Sequence, residues 1–333
     1  MADGEHNPAI LIPYPGAGEN PAEQHIFVYL RPESNGVLVE STLLRAVKRS
    51  GKYKKQIFLV YLANLPGEFI MRNRITENHY NVKLKFAALG QKLFTPAMKE
   101  AFSRKFKTDF EEAKILGAFE ALDVLGMNPE ELFSVWVTDN DYMTVNDQAI
   151  KKIDDRYVVN CDIPQLVCSR YAGKNIAVMI FRTSLNYREF LEMVRMMEKA
   201  LLDAGILLPD RPASRIFHYS RGPFEQVLDA QSYLYTQAAA PIPSEELPFP
   251  RFLASQGVEF PFVRDLLRRP LVRYSAKGDR IREESIYAYT RGASYAEAWE
   301  KMRGAWSQVI LSWGKEDQEV LDRFVQRELR KTV

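Results

Sequence analysis

His25-Ile26-Phe27-Val28-Tyr29-Leu30-Arg31-Pro32 is an apolar run closed by a cation and a proline, and Val37 to Arg49 behind it changes period. The apolar alternation of the first stretch predicts a strand from His25 to Arg31, because successive strand side chains point to opposite faces. In the second, Leu43, Leu44 and Val47 share one helical face, and Gly51 supplies the glycine stop that helices favour. Lys55 to Leu62 then reads as a second, buried-type strand, and Pro66 to Thr76 as a short helix with proline near its start. The opening of the chain is therefore strand, helix, strand.

Further along, Val82, Leu84 and Phe86 predict a strand, and Met98, Phe102 and Phe106 a helix. Phe110 to Leu125 reads as an amphipathic helix ending before Gly126, and Leu132 to Val137 and Arg156 to Cys161 as strands. Asn175 to Phe181 is a strand by pattern, and Tyr187, Phe190, Leu191, Val194, Met197 and Leu201 mark a strongly periodic helix. Ile216 to Tyr219 is short and strand-like, and Phe224 to Tyr235 helical. This alternation, broken by a helical excursion, predicts an α+β fold with a ferredoxin-like βαββαβ antiparallel sheet; a doubly wound sheet is the alternative. The punctuation divides the chain into a mobile Pro- and Gly-rich arm (1–24), a main domain (25–240) with an insertion at about 108–173, a Pro-rich linker (241–250) and a mainly helical extension (251–333).

Composition excludes several classes. With 46% hydrophobic and 26% charged residues in 333, the chain has the balance of a globular protein with a sizeable core. Lys+Arg of 45 against Asp+Glu of 43 leaves +2, so no overall field draws it to nucleic acid or an anionic membrane. The longest apolar runs, Ile57 to Leu65 and Ile176 to Phe181, fall short of the roughly 20 residues that cross a bilayer. No basic leader with an apolar core opens the chain, so a cytoplasmic protein is expected. Cys161 and Cys168 match no common zinc spacing and read as buried thiols. No P-loop, nucleophile elbow or H-E-x-x-H motif is present.

Of the four histidines, His6, His25, His79 and His218, only His218 sits where catalysis places one: closing a short strand before a turn and a helix. Ser220 follows two residues on, and Asp229 one helix later. A hydrogen-bonded structural histidine is the alternative.

Three segments in order resemble the nucleoside-diphosphate kinases. Val28-Tyr29-Leu30-Arg31-Pro32-Glu33 is similar to the family's first-strand ending in Lys-Pro-Asp. Glu68 to Tyr80 ends in Asn78-His79-Tyr80 where the family often has Glu-His-Tyr, and Phe94-Thr95-Pro96-Ala97-Met98 falls where it has a nucleotide-clamping Phe-Pro pair. Arg215 to Asp229 is similar to its Arg-Asn-x-x-His-Gly-Ser-Asp-Ser segment and trailing acidic helix. The resemblance implies phosphate transfer between nucleoside tri- and diphosphates, with His218 accepting the phosphoryl group and Ser220 and Asp229 orienting it. It also implies that Arg31 stands in for the phosphate-touching lysine, that Tyr80 borders the phosphates, and that Phe94 and Met98 hold the base. Arg195 and Arg215 are further nucleotide-binding candidates, and Mg2+ would be held mainly by the nucleotide's own phosphates. Departures from the pattern are Arg31 for lysine, Arg215 for asparagine and Tyr219 for glycine. A non-catalytic nucleotide-binding or assembly protein on the same fold is the alternative function.

Beyond Tyr235 the resemblance ends. Trp299, Trp306 and Trp313 recur every seven residues, with Met302 and Val309 between, and predict one packing face on a helix, read here as a homo-oligomer contact. Arg264, Arg268, Arg269, Arg273, Lys277, Arg280 and Arg282 form a basic run that suits nucleic acid, or an intersubunit salt-bridge surface once the interleaved Asp265, Asp279, Glu283 and Glu284 are counted.

Overall fold

The computed structural model describes residues 7–20, 23–32, 34–51, 53, 55–168, 174–209, 211–276 and 280–331. Residues 1–6, 21 and 22 of the expected arm, Glu33, Lys277 and Asp279 lie outside them. The protein is α+β and divides into two compact units: residues 1–75, 171–267 and 290–302 form the first, and 76–170, 268–289 and 303–333 the second. Among the described residues no helix is long and apolar enough to cross a membrane.

The first unit is built on β1 (Ala9–Ile12), β2 (Gln24–Leu30), β3 (Ile57–Pro66), β4 (Asn175–Thr183) and β5 (Phe217–Tyr219). Their spatial order is β1-β3-β4-β2-β5, with every neighbouring pair antiparallel. Helix α1 (Val37–Arg49) links β2 to β3, and α2 (Tyr187–Asp203) leads from β4 towards β5. An Asn186–Glu189 capping box starts α2, satisfying backbone donors that would otherwise be orphaned. Its stripe of Phe190, Met193, Val194, Met197 and Leu201 packs with Leu43 and Val47 of α1 on Ile26, Val28, Leu30, Met179 and Phe181. Each such buried side chain contributes about 1.5–3 kcal/mol of burial free energy, which holds both helices to one sheet face.

The opposite face is covered too, by α3 (Pro223–Tyr233) and α4 (Pro248–Ser255). Tyr29 meets Tyr233 at 4.5 Å between ring centroids, and Phe224 meets Phe249 at 5.0 Å. Every residue of β2 is consequently buried, which is why it reads as an almost unbroken apolar run. The expected linker at 241–250 is instead part of this layer. Leu247 and Phe249 are 2% and 1% exposed, and Pro248 opens α4, where a proline's missing N–H costs nothing. The arm is likewise partly structured, since Ala9–Ile12 extends the sheet beyond β3.

The second unit holds a four-stranded sheet, in the order 114–117, 156–159, 148–153, 142–145, and a three-stranded one, 280–285, 271–276, 305–308. It begins at 76 rather than near 108 and recruits pieces of the C-terminal segment, which is therefore no separate extension. Val82, Leu84 and Phe86, expected as a strand, lie in a helix, Asn81–Leu89. Residues 132–134 belong to a helix as well, Pro129–Ser134, started by an Asn128–Glu131 capping box. The expected helix from Phe110 to Leu125 is split into Lys114–Gly117, a strand, and Ala118–Leu125, a helix. Gly117 permits the split: a Cβ there would lie 2.4 Å from the Ala87 carbonyl oxygen. The tryptophan stripe is likewise not on one helix. The helix carrying Trp299 ends at Gly304, Trp306 lies in the strand Ala305–Gln308, and Trp313 precedes the helix Lys315–Lys331. In the basic run, Arg273 pairs with Glu283 across the hairpin at 3.4 Å.

Candidate functional site

β5 has three residues, and its partner is β2: Tyr29 stands opposite His218 in the ladder. Cross-strand partners share a face, so His218 projects to the α3 side, with its ring stacked on Tyr29 at 4.7 Å and 29°. The neighbouring Tyr219 points the other way, toward α2, where its ring lies 6.4 Å from Phe190. The residue that departs from the glycine of the motif thus extends from the sheet face opposite His218.

After Tyr219 the chain turns sharply into α3. Ser220 prolongs the pairing with β2: its N–H donates to Phe27 O at 3.0 Å, and its Oγ accepts from Phe27 N at 3.1 Å. The same Oγ donates to Asp229 Oδ2 at 2.5 Å. Gly222 caps α3 and Pro223 occupies its first turn, which fixes the phase of the helix. Glu225 and Asp229, four residues apart, then share one face. Both carboxylates lie 3.9 Å from His218 Nε2. Arg221 holds Glu225 in place, donating from its backbone N at 2.5 Å, from Nε at 3.2 Å to each oxygen and from Nη2 at 2.8 Å.

The electrostatics follow from burial. Asp229 is fully buried, and loss of water raises its pKa well above the usual carboxylate range, with Glu225 pushing the same way. The Ser220 hydrogen bond and the Arg221 and Arg31 charges pull in the opposite direction. The His218 side chain is 16% exposed, so one side of the ring faces buried acids while the residue retains access to solvent.

Arg31 joins this group from the end of β2. Its guanidinium lies 5.9 Å from the Tyr29 ring centroid, its Nε donates to Ser214 O at 3.2 Å, and its charge reaches Asp229. Arg215 ends the short helix before β5, where its carbonyl accepts from Ser34 Oγ at 3.2 Å. Arg195 is not brought to the site. It is exposed on α2, in the helix layer on the other face of the sheet. Tyr80, Phe94 and Met98 belong to the second unit. Tyr80 contacts His79 edge-on at 4.6 Å. Phe94 and Met98 are 6% and 0% exposed in a core with Phe86, Phe102 and Phe110, so packing accounts for both side chains.

Sequence reading named His218, Ser220, Asp229 and Arg31 but passed over Glu225 and Arg221. A signal was available: Gly222-Pro223 marks a helix start, and from it Glu225 and Asp229 fall one turn apart on a common face. Among the described residues no cluster of three or more His, Cys, Asp or Glu side chains is placed to hold a metal ion. No family model, no curated protein and no solved structure gives a match to this chain.

Proposed function

We propose that the chain is a nucleoside-diphosphate kinase-like phosphotransferase that moves a terminal phosphate between nucleoside tri- and diphosphates through a phosphohistidine at His218. The observation that carries this reading is the placement of His218 Nε2 3.9 Å from both Glu225 and Asp229, with Asp229 tied to Ser220 Oγ at 2.5 Å. The fold supports it. Within the first unit β2, α1, β3, β4, α2 and β5 follow in that order, interrupted between β3 and β4 by residues 76–170 of the second unit, and the antiparallel order β3-β4-β2-β5 is what two interleaved βαβ units of ferredoxin-like type produce.

The residues divide the chemistry. The Glu225 carboxylate beside Nε2, with the buried Asp229 carboxyl at the same distance, favours a proton there and the positive charge that grows on the ring as it attacks, so Nδ1 is the attacking nitrogen. Its lone pair forms the N–P bond as the bond from the γ-phosphorus to its bridging oxygen breaks, and that electron pair leaves with the nucleoside diphosphate. The reverse step delivers the phosphoryl group to a second diphosphate. Arg31 offsets charge on the phosphoryl oxygens. Glu225 and Asp229 are engaged by Arg221 and Ser220, which fits magnesium arriving on the nucleotide's phosphates rather than on a protein cage. When bound, magnesium supplies charge neutralisation at those phosphates.

Incubation with magnesium and terminally labelled ATP tests the reading. Label should appear on the protein in an acid-labile, base-stable form, pass to added nucleoside diphosphate, and be abolished in His218→Asn. Undiminished label in that variant removes His218 as acceptor, and an unlabelled parent protein favours a non-catalytic nucleotide-binding role.

A further inference from the structure

We infer that the segment Thr290–Tyr295, a loop and the first residue of the helix behind it, is a positioning element of the His218 site, seating the turn that sets the imidazole beside its acids. The turn Ser220-Arg221-Gly222 is fixed on one side by β2, through the two Ser220 hydrogen bonds to Phe27. Its other side rests on this loop, part of a short segment, 290–302, that the chain contributes to the first unit. Three contacts make the seat. Gly292 N donates to Arg221 O at 2.8 Å. A Cβ on Gly222 would lie 2.8 Å from Thr290 O, so two backbones touch where glycine alone leaves room. Tyr295 Oη donates to Gln226 Oε1 at 3.0 Å, gripping α3 one residue past Glu225.

Gly292 is itself constrained. Its φ of +72° is a region that L side chains rarely adopt, and a Cβ there would stand 3.0 Å from Tyr187 Cδ1. The loop therefore has little freedom to settle elsewhere. Arg221 is held by its carbonyl from the loop and by its guanidinium from Glu225, whose carboxylate lies 3.9 Å from His218 Nε2. Loop position thus passes through Arg221 to Glu225 and on to the ring. A reacting nitrogen misplaced by about 1 Å loses on the order of a hundredfold in rate, so a seat of this kind bears directly on turnover. The consequence for turnover rests on His218 being the phosphoryl acceptor.

The test uses the full chain carrying Gly222→Ala, Gly292→Ala or Tyr295→Phe, with Gly51→Ala as a control at a site with no atom within 4 Å of a new Cβ. Two quantities are read: the pH midpoint of the His218 Cε1–H signal, identified by its loss in His218→Asn, and the kcat and KM of phosphate transfer. In both glycine variants the midpoint should move away from the parent's. Their kcat should fall about tenfold or more with KM little changed. Tyr295→Phe, which adds no atoms, should show a smaller change of the same sign, and Gly51→Ala none. An unchanged midpoint and kcat in the folded glycine variants overturn the inference. Should those variants fail to fold, an unchanged midpoint in Tyr295→Phe overturns it instead. A parent protein without transfer activity sinks the phosphotransferase reading alone, because the midpoint still decides whether the loop positions His218.

Discussion

His25 and His218 project from the same face of one sheet, His25 near the start of β2 and His218 opposite Tyr29 toward its end. Their surroundings separate them. His25 is 1% exposed, lies 3.0 Å from the Tyr14 hydroxyl, and has its pKa pressed down to about 4 by burial and by Arg182. His218 keeps some exposure and faces two carboxylates at 3.9 Å. A cation beside a dry imidazole keeps it neutral and makes it a packing group. Acids beside an accessible one stabilise the charge that nucleophilic attack creates. Residue type is shared; under the proposed reading, the charge of the neighbours is what separates a nucleophile from a packing group.

The comparison breaks most visibly in transfer activity. His218→Asn should reduce labelled phosphate transfer by about a thousandfold or more while the protein stays folded, whereas His25→Asn should leave transfer within about threefold of the parent. Equal losses in the two variants would erase the distinction.

The next effect concerns acid. Folded His25, with a pKa of about 4 against an ordinary 6.5, binds fewer protons than the unfolded chain between those values. Stability should therefore be lost as pH falls from about 6.5 to 4, by on the order of 3 kcal/mol. Chemical unfolding across that range should show the loss in the parent and a flatter profile in His25→Asn.

Asp229 carries the opposite sign. Its raised carboxyl binds protons more tightly folded than unfolded, so its stability cost is absent at low pH, grows as pH rises above the unfolded value, and is complete above the folded one. Asp229→Asn should lower transfer about a hundredfold and yet raise the unfolding midpoint at pH 8, with the gain shrinking toward pH 4. A variant destabilised at pH 8 would contradict this account of the buried acid.

Arg31→Ala should have the smallest effect. Magnesium nucleotide at a hundredfold excess over Kd should stabilise the parent by about 2.7 kcal/mol, and the variant should lose about 1 kcal/mol of that. Thermal unfolding with and without nucleotide measures both.

The elements that carry His218 were legible because their periods are clean. β4 is a bounded apolar run, α2 repeats at helical spacing behind its Asn186 cap, and β5 is followed by Gly222-Pro223. Asn81–Leu89 was not legible. Leu84, Phe86, Ala87 and Ala88 are all buried, so no polar face disclosed the helical period, and Val82, Leu84 and Phe86 imitate a strand. Proline misled at 241–250 because Pro248 and Pro250 serve the first turn of α4 as well as they would serve a linker. Within the site, Ser220 and Asp229 were legible from their spacing to His218, two residues and one helix on, while Arg221 and Glu225, on either side of the Gly222-Pro223 helix start, look in sequence like ordinary surface charges. The seat formed by Thr290–Tyr295 lies about seventy residues from the turn it touches, and no local pattern announces a contact of that range.

The central claim of the proposal, that the acids lie beside Nε2 and Nδ1 attacks, is tested most directly by the position of phosphate on the ring. Phosphorus NMR of the phosphoprotein, prepared with magnesium and ATP at alkaline pH, distinguishes the two phosphohistidine isomers. The account predicts a single signal from phosphate on Nδ1 of His218, absent in His218→Asn. Phosphate on Nε2, or on any other side chain, would contradict it.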